Sequence, residues 1–157
     1  MKKQKGFSLI ELLIVVAIIL IIAAIAIPNL LKSKMAANES SAVGSVRTLN
    51  TAQVTYAAGC PAIGYSATLA EMNTGAICTS GTAIIDNVLG QDPANKSGYT
   101  ITYAQGALVG GVANTYTLSA TPQKVGVTGQ RGFFSDQTGV IRYNQTGTAT
   151  VADPALQ

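Results

Sequence analysis

Residues 7–27 read FSLIELLIVVAIILIIAAIAI, and only Ser8 and Glu11 interrupt the apolar run. A run of this length matches the roughly 20 residues a helix needs to cross a bilayer core. The predicted helix is apolar on every side, which excludes an ordinary amphipathic surface helix. Pro28 closes the run. Proline removes one helical hydrogen bond, frees the carbonyl of Ala24 and favours a kink there. Beyond it the pattern changes. Leu30, Leu31, Met35, Val43, Val46, Leu49, Gln53 and Tyr56 include spacings of three and four, with Gln53 interrupting the apolar stripe. Lys32, Lys34, Asn38, Glu39, Arg47 and Asn50 fit a more polar face. An amphipathic continuation to about Tyr56 follows, terminated by Gly59 and Pro61. The two parts together predict a helical spine of about 70–75 Å.

From Cys60 onward the period shortens. Residues 66–72 predict a short helical turn capped by Ser66 or Thr68. Residues 84–89 are ambiguous between strand and turn. Gly98 introduces an alternating run at 99–103, and Gly110-Gly111 marks a turn before a second run at 115–120. Residues 132–135 and 140–143 are further strand candidates, separated by the turn signal of Asp136 to Gly139. The expected fold is α+β: a long N-terminal helix packed on a small antiparallel sheet. The expected division is 1–6 leader, 7–28 apolar helix, 29–57 amphipathic helix and 58–157 globular head, with residues 146–157 as a terminal loop.

Charge and composition narrow the function. Lys2, Lys3 and Lys5 precede the apolar run, and the formal net charge is +3. Without these three, seven basic residues face seven acidic ones. The basic balance therefore belongs to the first residues and does not argue for nucleic-acid binding. The chain has neither histidine nor tryptophan. Ser-His and Cys-His nucleophile pairs and His-based zinc sites are thereby excluded. A membrane-anchored enzyme would need an acid-base constellation, yet Asp86, Asp92 and Asp136 are scattered among turn residues. Gly110-Gly111 lacks the lysine of a phosphate loop. No cofactor and no metal is expected.

The lysines ahead of the run, against Lys32 and Lys34 after it, favour a cytoplasmic N-terminus with the remainder of the chain outside. Gly6 lies before the apolar run, so a cut after it would remove the basic leader and keep the helix. Composition alone favours the other reading, an uncleaved signal anchor. The stretch KGFSLIELLIVVAIILIIAAIAIPN resembles the N-terminal signature of type IV pilins and type II secretion pseudopilins, with Lys5, Gly6, Phe7, Glu11 and Pro28 in order. The likeness covers about the first fifth of the chain. Looser likenesses to pilin heads lie in SGYTITYA, YTLSATP and FFSDQTGVIRY. The resemblance implies cleavage between Gly6 and Phe7 by a membrane-embedded prepilin peptidase, and methylation of the Phe7 amine by the same enzyme. It also implies local unwinding near Pro28 in some filaments, where Ala23, Ala24 and Ala26 would allow close packing.

Glu11 is a carboxylate inside an apolar membrane helix, a costly position that marks a functional candidate. Local neutralisation by the nearby amine of Phe7 and the helix N-terminus is one reading. The resemblance implies another, a contact with the N-terminal amine of a neighbouring subunit. Cys60 and Cys78 are the only cysteines. Outside the cytoplasm a disulfide between them is expected, worth roughly 3 kcal/mol on the chain-entropy argument, with two buried thiols as the alternative. Asp136 with Gln137, Thr138 and Gly139 could belong to a calcium loop, but one carboxylate in a turn falls short of the six to eight oxygens calcium takes.

The resemblance implies a non-enzymatic subunit of a type IV pilus. It would wait in the bacterial inner membrane and then enter a helical surface filament of identical subunits through an assembly machine, in support of adhesion or motility. A type II secretion pseudopilin is the alternative, in a short periplasmic filament. DNA uptake would need clustered basic residues, and conduction would need closely spaced rings. Neither is read from seven dispersed basic residues, six Tyr and three Phe.

Overall fold

Ser8 opens the first helix, and the apolar run continues it without a break. The computed structural model describes residues 7–75 and 81–156. Its first helix, α1, spans Leu9–Gly59. The chain divides into two compact units, Met1–Lys34 and Met35–Gln157. In the first unit the large apolar side chains of α1 are all solvent-exposed. The most apolar eighteen-residue window has a mean hydropathy of 3.3, and none of it is buried. By length and composition this helix can cross a membrane. Pro28 lies inside α1 and does not end it.

In the second unit α1 acquires a buried face. Ala42, Val46, Leu49, Gln53 and Tyr56 are buried, alternating in steps of four and three along one side of the helix. They pack against a five-stranded antiparallel sheet ordered β1-β2-β5-β6-β7. Its strands are β1 (Ala94–Lys96), β2 (Tyr99–Gln105), β5 (Tyr116–Pro122), β6 (Gly132–Asp136) and β7 (Arg142–Asn144). The register sets Tyr99 opposite Pro122, Ile101 opposite Ala120, and Ala120 opposite Phe133. Alternation then turns Tyr99, Ile101, Tyr103, Tyr116, Leu118, Ala120 and Phe133 into the core. The predicted α+β fold is the one observed.

Several local expectations change. Glu39 and Asn50, assigned to the polar face, are buried. Leu30 and Leu31, assigned to the apolar stripe, are exposed, because they belong to the first unit, where no sheet covers the helix. Residues 84–89, open between strand and turn, resolve as turns. The last strand shortens to Arg142–Asn144, because Asp136 to Gly139 turns the chain and Val140 is spent on that reversal, its carbonyl accepting from Ser135 Oγ.

Two hairpins complete the unit, the second on the expected Gly110-Gly111 turn. Ser97-Gly98 connects β1 to β2 with φ of 50° and 72°. Gly110-Gly111 connects β3 (Leu108–Val109) to β4 (Val112–Ala113) with φ of 62° and 87°. A two-residue turn with positive φ at both positions matches the right-handed twist of the strands it joins. The short helix α2 spans Leu69–Thr74 behind Thr68, which makes no side-chain capping bond. The carboxylate of Glu71 reaches back instead and accepts from the Ala67 N–H at 2.8 Å.

Candidate assembly site

The first turn of α1 is built by a short exchange between backbone and carboxylate. The Ser8 N–H donates to Glu11 Oε2 at 2.9 Å, and the Leu12 N–H donates to the Ser8 carbonyl at 3.2 Å. Ser8 is thus the N-cap residue and Glu11 stands at the third helical position. That is the carboxylate half of a capping box. The sequence signal is Ser8-Leu9-Ile10-Glu11, the two polar residues of the apolar run standing three positions apart. The carboxylate serves one orphan N–H and faces the positive end of the helix dipole, which partly offsets its placement among apolar side chains. The observed partner of Glu11 is thus the neutral Ser8 N–H.

Around this turn the surface is apolar. Phe7 and Leu9 are about four-fifths exposed, and the apolar side chains continue on every side of the helix to Leu31. An apolar surface of this size on a folded chain marks an interaction surface, either lipid or another protein. Gly6 lies outside the described residues, as does Cys78. Cys60 is disulfide-bonded and ends α1, its N–H donating to the Tyr56 carbonyl at 3.0 Å.

The second unit is locked to its stretch of α1 by polar clamps. Glu39 Oε1 accepts from the backbone N–H groups of Gln130 and Arg131 at 2.9 and 3.0 Å. Its Oε2 accepts from Arg131 Nε at 2.8 Å. Burial works to raise the carboxyl of Glu39, but these bonds outweigh it and hold the group below its ordinary range. The Arg131 guanidinium stands 5.7 Å from the ring centroids of both Phe133 and Tyr143. Further along α1, Asn50 donates to Ser135 Oγ at 2.8 Å and accepts from Tyr116 OH at 3.0 Å. Gln53 donates to Ser66 Oγ at 2.8 Å and accepts from the Ser66 N–H at 3.1 Å. Tyr103 OH donates to the Ser66 carbonyl. Among the described residues no buried side-chain polar atom lacks a partner. Only Gln53 among these clamps left a trace in the sequence, as the break in the apolar stripe.

Asp136 takes the role of a turn residue. Its Oδ1 accepts from the Thr138 N–H at 2.9 Å and from the Thr138 hydroxyl, and the Gly139 N–H donates to its carbonyl at 2.9 Å. Among the described residues no group of three or more His, Cys, Asp or Glu could hold a metal ion.

An exposed apolar N-terminal helix, a carboxylate in its first turn and a small antiparallel sheet on the later stretch of the helix define a pilin-like α+β chain. Comparison with known proteins agrees. The family model for the prokaryotic N-terminal methylation motif matches residues 1–27. The chain is 50% identical over 54 residues to the type IV major pilin protein PilA of Myxococcus xanthus, covering 34% of this chain and 24% of that protein. It is 60% identical over 40 residues to the type IV wide pilus major component PilA4 of Thermus thermophilus, covering 26% and 30%. It is also 41% identical over 56 residues to the type II secretion system core protein G of Vibrio cholerae, covering 36% and 38%. The chain thus spans about a quarter to two-fifths of the length of the curated relatives it matches. No solved structure matches it.

Proposed function

We propose that this chain is the precursor of a structural subunit of a type IV pilus, assembled through its apolar N-terminal helix. The observation that carries the reading is the first turn of α1: a carboxylate, Glu11, set in the apolar stretch of the helix up to Leu31, whose large side chains are exposed, just beyond the Gly6-Phe7 junction. In this reading a prepilin peptidase cuts after Gly6 and methylates the amine of Phe7. The precursor is held in the bacterial inner membrane by residues 7–28, with the second unit outside the cytoplasm. Withdrawal into a helical filament of identical subunits then buries the apolar helices together. Each Leu or Ile side chain fully buried from water gains about 1.5–3 kcal/mol. Starting from lipid the gain is smaller, since lipid is also apolar, so the assembly machinery must supply work.

Glu11 accepts from its own Ser8 N–H, and one carboxylate oxygen has no hydrogen-bond partner among the described residues. That oxygen is free to take the amine of a neighbouring subunit, which aligns incoming chains where an unpaired charge is penalised. Pro28 marks the point where the helix can give way on assembly. Cys60 pairs with Cys78 and closes the loop that follows α1.

The experiment is electron microscopy of cells producing the protein, with an antibody to the second unit, alongside mass spectrometry of the mature N-terminus. Labelled surface filaments and an N-methylated Phe7 are the expected results. Glu11→Ala processed at Phe7 yet filament-rich overturns the assembly role of Glu11. The relative named as a type II secretion core protein supports a second reading as a pseudopilin. Absence of surface filaments together with a secretion defect on deletion selects it.

A further inference from the structure

Among the described residues, the two lysines that follow the apolar run form no ion pair. Lys32 and Lys34 are exposed on α1. Among the described residues the ion pairs are Lys96 with Asp86 and Arg131 with Glu39. The nearest carboxylates along the chain are Glu11, far back in the first turn, and Glu39, which is already engaged by Arg131. Between them the helix carries a charge of +2 and nothing to balance it.

Their position is set by the helix. From Leu9 to Leu31 the rise is about 34 Å, against a hydrocarbon thickness of about 30 Å. The first polar turn beyond the run therefore falls in the headgroup layer. Lysine suits that layer, because its apolar stem lies along the helix while the ammonium reaches the polar boundary. Two residues apart, Lys32 and Lys34 point roughly 200° from one another around the helix. They address different headgroups and do not clamp a single one.

Removal of the leader makes this pair matter more. The leader holds Lys2, Lys3 and Lys5 on one side of the run. Once it is gone, that side keeps only the Phe7 amine and Glu11, which cancel. The positive excess then lies on the other side, at Lys32 and Lys34, against the usual bias of membrane chains.

We propose that Lys32 and Lys34 form a headgroup-binding pair, taking the phosphates of anionic phospholipids in the leaflet opposite the leader. The proposal rests on the membrane reading of residues 7–28 given above. The attraction is of the ordinary juxtamembrane kind, about a five-fold preference per lysine at low salt, and it weakens as salt screens the surface.

The test reconstitutes the full chain in phosphatidylcholine bilayers containing traces of spin-labelled phosphatidylglycerol or phosphatidylcholine. The fraction of each lipid immobilised at the protein is read by electron spin resonance. A K2Q/K3Q/K5Q background removes the competing leader charges. In that background phosphatidylglycerol is expected to be immobilised several-fold in preference to phosphatidylcholine, with the preference falling in high salt. Adding K32Q/K34Q brings the two lipids to near equality, while K32R/K34R keeps the preference. An unchanged preference in K32Q/K34Q, or none in the background chain, overturns the proposal. Absence of any immobilised lipid overturns the membrane reading instead.

Discussion

Glu39 ties α1 to the strand region on the far side of the sequence, and its removal should loosen the second unit without touching the apolar helix. The side chain of Glu39 is 10% exposed and that of Arg131 is 38% exposed. In Glu39→Ala two backbone N–H groups, of Gln130 and Arg131, lose their acceptor. These bonds are part-buried, so each donor left without a partner costs about 1–2 kcal/mol, below the full penalty of a buried one. The Arg131 guanidinium is open enough to be hydrated, so its share is small. Water entering the gap recovers part of the loss, and about 3 kcal/mol is expected overall. Glu39→Gln keeps one acceptor oxygen but turns an amide N–H₂ toward Arg131 Nε, for a loss of about 1–2 kcal/mol. Against a total stability of about 5–15 kcal/mol these are large changes.

All six tyrosines lie between residues 56 and 143, so urea unfolding followed by tyrosine near-UV circular dichroism, with the full chain in detergent, reads this unit alone. The pH dependence gives a second test. Although burial pushes the other way, the bonds from Arg131 and Gln130 lower the Glu39 carboxyl. A lowered carboxyl contributes its stability in full above the unfolded value of about 4.3 and loses it as pH falls through the folded value. The stability gap between the native chain and Glu39→Gln should therefore shrink below about pH 4. A Glu39→Ala variant within about 0.5 kcal/mol of the native chain would refute the reasoning. So would a gap that stays constant from neutral to acid pH.

Burial raises the phenols of Tyr56 and Tyr103 to about 12, and raises those of Tyr99 and Tyr116 still further. A raised phenol contributes stability below the unfolded value of about 10 that is lost as pH climbs toward the folded value, about 1.4 kcal/mol per pH unit for each group. Four together give about 5 kcal/mol per pH unit, so the second unit should unfold cooperatively not far above pH 10, with phenolate absorbance and loss of near-UV dichroism coinciding; stepwise ionisation of a folded unit would contradict this. Leu49→Ala, in the core, should cost about 3 kcal/mol in urea unfolding, whereas the exposed Val54→Ala should stay within about 0.5 kcal/mol. Gly44 and Gly111 both have open space where a Cβ would stand, but only Gly111 has a positive φ, of 87°. Thermal unfolding should find Gly44→Ala stabilising by about 0.5–1 kcal/mol and Gly111→Ala destabilising by about 1 kcal/mol, opposite signs from the backbone alone.

The apolar helix was legible from the chain because its signal is local. Twenty-one nearly unbroken apolar residues leave a helix as the one way to satisfy the backbone in an apolar surround. Strands β2, β5 and β6 were legible for the same reason, since alternation and turn residues act over a few positions. Glu11 was visible as an anomaly within that run. Its tie to Ser8 is also local, and the motif was there to be read.

The clamps were not legible. Glu39 meets Gln130 and Arg131 more than ninety residues away, and Asn50 meets Ser135 across 85. A polar residue on a helix reads as solvent-facing unless a partner is known, and the partner here is set by how the sheet lies across α1. Strand β1 escaped notice because three residues carry too little pattern, and it exists only because β2 offers it an edge. The sequence by itself determined that residues 7–27 form an apolar helix with one carboxylate in its first turn, because those properties depend on neighbours along the chain. Tertiary structure decided which side of the later helix is core and which polar residues lock it, because burial and hydrogen-bond pairing depend on what the fold brings across the gap.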